Sequence, residues 1–415
     1  MKHFAATAKK SYLAIATVAL FCLFLTACRS QKQATVQPED NRTASADTLV
    51  NHYRTMDNEN LSPTLSMAEM TVGMWQLLDD GHTNVWFSPL SLALAMRTVA
   101  DGAKGETQEQ LRRVITDLDI QSSNQISIAD ALFIDPSVPL QANYVARCKA
   151  RGAEMYQQTI SAKRINQWAS DHTNNKINHI LDDPMPASIK MVIANAVYFY
   201  AQWADPFNER GTREDTFYLS SRAQEGEPYV MVPLMRKSDH FSYARTDDAQ
   251  IITLPYEEDD KGHLFGMTIV LPREGLSASD LLAHLTAEQL NHWFDKQYYE
   301  RVILRVPKIK MSYNRSLTDD LRAMGITLPF TPAADFSGMS NTPLCIDMVK
   351  QSAFLDMNER GTEAAAVTVA AMRLGAAPHQ EPPVNMTVNR PYLLILHDRK
   401  NHIPVFVGII HTPKQ

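Results

Sequence analysis

NERGTEAAAVTVAAMRLGAAPHQEPPVNMTVNRPY, residues 358–392, is the stretch on which the fold turns. Propensity alone predicts a surface helix over residues 362–374, with Glu363 near its start and alanine at 364–366 and again at 370–371. Its surroundings are not helical. PLCIDMVKQSAFLDM lies just upstream and PYLLILHD and PVFVGII just downstream, all strand-like runs of branched and aromatic residues.

Further upstream the strand-like runs continue as ISIADALFI, MVIANAVYFY, YVMVPLM, AQIITLPY, LFGMTIVLP and RVILRVPKIKMSY. Helices are predicted at INQWASDHTNNKINHIL, ASDLLAHLTAEQLNHWF and SLTDDLRAMGI, with a charged helix from about Gln108 to Asp117. Leu65, Met67, Met70, Met74, Trp75 and Leu78 recur at helical spacing, with Gly81 as a stop. NVWF then gives a short strand, and Ser88-Pro89 pairs an N-cap with a first-turn proline ahead of an apolar helix ending near Gly102. Strands and helices mix without regular alternation, so the fold class is α+β with large antiparallel sheets. Length alone would suggest roughly two domains. No repeat or polar linker divides residues 63–415, however, and they are expected to form one domain.

Hydrophobic residues make up 45% of the chain and charged ones 21%, which excludes a disordered or collagen-like protein. A net charge of −6, with no basic run interleaved with aromatics, makes nucleic acid an unexpected partner. Four cysteines without a CxxC spacing exclude a disulfide scaffold or zinc ribbon, and Cys148 and Cys345 receive no role.

Lys2, Lys9 and Lys10 precede an apolar stretch from Tyr12 to Leu25, shorter than the roughly 20 residues a membrane-spanning helix needs. Residues 1–27 are expected to be a signal peptide. They lead into Leu25-Thr26-Ala27-Cys28, which resembles the lipobox of bacterial lipoproteins and implies a lipid on Cys28. Residues 28–62 are polar and aperiodic, as a flexible tether would be. The expectation is an exported protein held to the cell envelope by its lipid, at the outer membrane or cell surface.

No GxSxG, HExxH, SxxK, P-loop or GxGxxG motif occurs, so the sequence offers no enzyme and implies no cofactor. Glu257 to Asp260 beside His263 have metal-compatible chemistry but lie between two strand-like runs, where a solvated hairpin tip is expected. His172 and His179 could share a helix face, yet no third ligand completes a metal site.

Glu359-Arg360-Gly361-Thr362-Glu363-Ala364-Ala365-Ala366 resembles the hinge of the serpins, the suicide-substrate protease inhibitors. NVWFSPLSLALAMRTVADGAKGETQEQL, INQWASDHTNNKI, ANAVYFYAQWADPFNERGTREDTFYL, ADFSGMS and PYLLILHDRKNHIPVFVGII also resemble serpin blocks, in order, from about residue 63 onward. The resemblance implies the serpin fold of three β-sheets with surrounding helices and an exposed reactive loop. It also implies a monomer that captures a target protease as a covalent complex. A serine protease, or as a second class a cysteine protease, cuts the loop, which then enters the main sheet as a new strand.

Strand parity makes that step testable, because insertion buries every second side chain. Thr362, Ala364, Ala366, Thr368, Ala370 and Met372 form one set, uncharged and mostly small; the other contains Glu363 and Arg373. About a dozen new backbone hydrogen bonds at roughly 0.5–1.5 kcal/mol each would supply on the order of 10 kcal/mol.

The resemblance further implies a polar gate beneath the sheet at Ser88, Ser91 and Asn195, with Trp203 near its upper end, and Gln351 where the family usually has histidine. Taken alone, Ser88 is a plain N-cap and Asn195 a satisfied core amide. The spans Leu111–Ala129 and Tyr156–Ile165 look short for the family's usual helix and edge strand, so no glycosaminoglycan site is assumed. The family's usual spacing from Gly361 implies a scissile bond after Gly375, give or take about one residue, and the bonds Leu374-Gly375, Gly375-Ala376 and Arg373-Leu374 are favoured in that order. A serpin fold used only for binding or structure is the alternative, and bulky, charged or proline residues in the hinge, its usual mark, are absent from Ala364 through Ala371.

Overall fold

A computed structural model describes residues 65–115, 120, 122–150, 152–363 and 382–413. The expected signal peptide, Cys28 and the tether lie outside these residues, as do Ala364 to Ala366 and every candidate reactive bond from Arg373 to Ala376. Among the described residues no helix is long and apolar enough to cross a membrane.

The chain opens with α1 (Met67–Leu78), started by a Ser66–Glu69 capping box. It continues through β1 (Val85–Phe87) and α2 (Pro89–Ala100), whose N-cap is Ser88 as its Ser-Pro signature predicts. Next come α3 (Gly105–Arg112), β2 (Ile126–Ile134), α4 (Ala142–Ala150), β3 (Glu154–Gln157), α5 (Ala162–His172), β4 (Met191–Phe199) and β5 (Ala201–Gln202). The middle holds β6 (Arg213–Tyr218), β7 (Tyr229–Arg245), β8 (Ala249–Pro255), β9 (Phe265–Pro272), α6 (Ala278–Ala283) and α7 (Ala287–Asp295). The last elements are β10 (Tyr298–Pro307), β11 (Ile309–Ser316), α8 (Thr318–Ala323), β12 (Met348–Asn358), β13 (Gly361–Thr362), β14 (Val384–Thr387), β15 (Tyr392–Asp398) and β16 (Ile403–Ile410).

The strands join two sheets by hydrogen bonding. Nine strands run in the order β1-β16-β15-β9-β8-β7-β10-β14, with β6 beside β7. Two of the three sheets expected are continuous here because the 17-residue β7 pairs with β6 at its start and β8 at its end. The other sheet has the order β3-β2-β4-β12-β13-β5, with β11 beside β12. Pairing is mixed: β2 with β3, β4 with β12 and β10 with β14 are parallel. Helix α2 lies against the inner face of β2 and β4, while α5 covers their outer face through Ile165, Trp168 and Ala169.

Several expectations are corrected. The helix predicted from Ile165 to Leu181 ends at His172, because Asn174 and Asn175 take φ of 50° and 60°, a left-handed turn that asparagine tolerates. ASDLLAHLTAEQLNHWF is two helices, since Thr286 and Gln289 form a new capping box in its middle. The charged helix starts earlier than expected, at Gly105, and ends at Arg112. Residues 361–362 are strand, not the start of a helix. His172 ends α5 and meets Glu154 at 2.9 Å, whereas His179 lies beyond the helix and meets Asp182 at 3.0 Å, so they share no face. Glu257 to Asp260 do lie between β8 and β9, but Asp259 turns inward, its buried carboxylate 2.7 Å from the His263 ring. Cys148 and Cys345 form no disulfide.

Candidate functional site: the gap between β4 and β12

Strands β4 and β12 pair in parallel from Met348↔Val192 to Ala353↔Val197. Beyond that point they diverge, and the chain leaving β12 turns back into the space. Gly361 and Thr362 pair with Asn358 and Met357 of β12 on one side and with Gln202 and Ala201 of β5 on the other. Two residues of the expected hinge, Gly361 and Thr362, therefore already occupy the sheet as β13.

Only glycine fits at 361. Its φ is 153°, and a Cβ would lie 2.0 Å from the Ala201 carbonyl oxygen. Thr362 is buried, and its Oγ1 lies 2.6 Å from the hydroxyl of buried Tyr256. Glu363 follows with φ of 56°, its N–H donating to the Asp356 carbonyl at 2.8 Å and its carboxylate paired with Lys176. Thr362 thus faces the core, while Glu363, already off the strand at its left-handed φ, turns to a lysine from the segment after α5.

The turn from β12 into β13 is clamped from above. Trp203 donates its indole N–H to the Asn358 carbonyl at 2.9 Å and its backbone N–H to Arg360, and its ring stacks on Tyr256 at 4.3 Å. The Phe207 N–H donates to the Glu359 carbonyl at 2.8 Å. The Glu359 side chain, 8% exposed, meets Lys308 Nζ at 2.8 Å and accepts from the Thr212 hydroxyl at 2.7 Å. Burial opposes ionisation of this carboxyl, but Lys308 and Thr212 outweigh it and hold the carboxyl below its usual range.

Lower in the sheet, Ser88, Ser91, Asn195 and Gln351 lie together. Gln351 Oε1 accepts from the Ser88 N–H at 2.8 Å, and its Nε2 donates to the Ser88 carbonyl at 2.9 Å. Ser88 Oγ donates to the Val405 carbonyl at 2.7 Å and caps the Ser91 N–H at 3.2 Å. Asn195 Nδ2 donates to the Ser91 carbonyl at 3.2 Å and to the carboxylate of Asp130, which lies directly across from it on β2. The first turn of α2 is therefore bonded to β12 through Gln351 and to β4 through Asn195. A strand entering between β4 and β12 must break one of these two attachments.

Four residues of this site were not anticipated: Asp130, Lys176, Tyr256 and Lys308. Asp130 left a trace in the sequence as the one acid inside the apolar run ISIADALFI. Burial is the main cause that pushes its carboxyl up to about 7, against the Asn195 hydrogen bond and the charge of Arg97. Among the described residues no cluster of acids, histidines and cysteines could hold a metal ion.

Comparison with known proteins agrees with this geometry. A family model described as serpin (serine protease inhibitor) matches residues 66–413. An uncharacterized serpin-like protein of Thermococcus kodakarensis is 29% identical over 371 residues, 83% of this chain and 84% of that protein. Iripin-8 of Ixodes ricinus is 30% identical over 370 residues, 81% and 90% of the two chains. Among solved structures, tengpin, a thermophilic serpin in its native state, superposes with a TM-score of 0.73 at 23% identity, covering 86% of this chain and 98% of that one. Thyroxine-binding globulin in complex with thyroxine gives 0.73 at 22% identity, covering 84% and 98%.

Proposed function

Because the chain belongs to the serpin family, whose members are generally protease inhibitors rather than catalysts, we propose that it is an inhibitory serpin acting as a suicide substrate. A serine protease, or a cysteine protease of like specificity, attacks the loop after Gly361–Thr362 and is left covalently attached. The freed loop then extends β13 down the gap between β4 and β12. One observation carries this proposal: Gly361 and Thr362 already pair on both sides within that gap, and the sequence continuing from them is uncharged from Ala364 to Met372. Insertion then proceeds by adding rungs to a ladder already begun, burying Ala364, Ala366, Thr368 and Ala370 in turn after Thr362.

The bait residue is proposed as Leu374, ahead of Gly375 and then Arg373, which correspond to chymotrypsin-like, elastase-like and trypsin-like targets. The lipid on Cys28 and a place on the outer membrane or cell surface belong to the same proposal, and would set the inhibitor where foreign proteases arrive.

Incubating the chain with trypsin-, chymotrypsin- and elastase-type proteases tests it. The expected result is a complex that survives denaturant on a gel, with mass spectrometry of the C-terminal fragment giving the bond. Cleavage by every class without a complex would instead support a non-inhibitory binding serpin, a use of this fold that thyroxine-binding globulin exemplifies.

A further inference from the structure

Two polar atoms beneath the seven-stranded sheet have no hydrogen-bond partner although both are buried, Asn195 Oδ1 and Ser91 Oγ. Asn195 stands where β2 and β4 meet, its Nδ2 bonded to Asp130 and to the Ser91 carbonyl. An ionised Asp130 only accepts, so it serves Asn195 Nδ2 and leaves Asn195 Oδ1 empty. A protonated Asp130 carries an O–H. It can then donate to Asn195 Oδ1 while still accepting from Nδ2, closing a two-bond acid–amide pair.

We propose that Asp130 is a proton-operated catch on the sheet: as the neutral acid it locks β4 to β2 through Asn195, and as the carboxylate it gives up half that pair, leaving Asn195 to hold β2 and α2 through Nδ2 alone. The groups around it permit this. From α2 the charged side chain acting on it is Arg97, while β4 presents Asn195 and β12 the neutral Gln351. On the opposite face of β2, Glu154 and His172 are engaged with each other. Burial of the carboxyl beneath the sheet favours its neutral form, which places the change of charge near neutrality. Acid therefore fastens the sheet and mild alkali frees it. The effect on inhibition rests on the loop insertion proposed above; the catch itself does not.

The probe is a synthetic peptide of residues 362–374, TEAAAVTVAAMRL, offered to the full chain between pH 5.5 and 8.5. Uptake by the wild type is expected to rise about tenfold across this range, the effect of one pK unit of coupling. Asp130→Asn keeps a two-way amide pair with Asn195 at every pH, and its uptake should stay slow and flat. Parallel pH profiles for the two proteins overturn the proposal. If neither protein takes up the peptide, loop insertion fails as a function, and melting decides the catch separately. Asp130→Asn should then melt above the wild type at pH 8, with the difference closing by pH 5, whereas a constant difference overturns it. Should the variant not fold, carbon-13 titration of the wild-type aspartates is decisive. A carboxyl titrating above pH 6 and assigned to Asp130 upholds the catch, and its titration with the ordinary aspartates overturns it.

Discussion

Gln351 and Ser88, 263 positions apart, are joined in a closed ring: the glutamine amide accepts from the serine N–H at 2.8 Å and donates to the serine carbonyl at 2.9 Å. An amide does both at once, so the N-terminus of α2 is fixed to β12 without any ionisable group in the ring.

Gln351→Leu should cost roughly 1–3 kcal/mol, because the buried Ser88 N–H loses its partner while the Ser88 carbonyl keeps only the Leu92 N–H at 3.2 Å. The freed β12 should also part from β4 more readily. Chemical denaturation gives the first quantity, and the rate of spontaneous loss of inhibitory activity on warming gives the second.

Lys308→Met leaves the buried Glu359 carboxylate with Thr212 alone. Since Lys308 is itself 39% exposed, the loss should fall below that of a fully buried pair, at roughly 1–3 kcal/mol. The folded carboxyl lies below its unfolded value of 4.5, so its stabilisation is present above about pH 4.5 and disappears as pH falls through the folded value. Melting temperatures of the two proteins should therefore differ at pH 7 and converge in strong acid.

Gly361→Ala brings a methyl group to within 2.0 Å of the Ala201 carbonyl oxygen, and the atoms it meets are backbone of Ala201 and Gln202, which cannot swing aside as a side chain would. Thr362 should be expelled from the gap, and limited proteolysis should then cut after β12, where the wild type resists. Thr362→Val is the milder change. It keeps the shape but strips the partner from the Tyr256 hydroxyl, at about 1–3 kcal/mol in unfolding free energy.

Thr362→Arg puts a cation where the side chain is buried against Tyr256, a cost that forbids ordinary insertion. The variant should be cut by the target protease at an undiminished rate, yet turn over as a substrate. A gel showing as much covalent complex as the wild type would refute the parity assignment.

Elements set by local pattern could be read from sequence, and those set by distant contact could not. ISIADALFI, MVIANAVYFY and PYLLILHD became strands because branched and apolar side chains suit a surface buried on both faces. Helix α4 gave no comparable signal, since among its nine residues only Tyr144 and Cys148 are buried. Ser88, Ser91, Asn195 and Gln351 were found through a family likeness, and the structure brings them together. Asp130, Lys308 and Tyr256 earn their roles from partners 65, 51 and 106 positions away. No window of sequence contains such a pair. The end of α5 at His172 rested on asparagines whose backbone preference competes weakly with a helical pattern.

The position of β15 and β16 bears on what a cut would do to the molecule. These strands follow the residues 364–381 in the chain, yet they lie between β1 and β9, paired on both sides and almost wholly buried. A bond broken anywhere in 364–381 would therefore nick the chain without dividing the protein. The two polypeptides would remain one particle in native buffer and would come apart only in a denaturant able to dissolve the nine-stranded sheet.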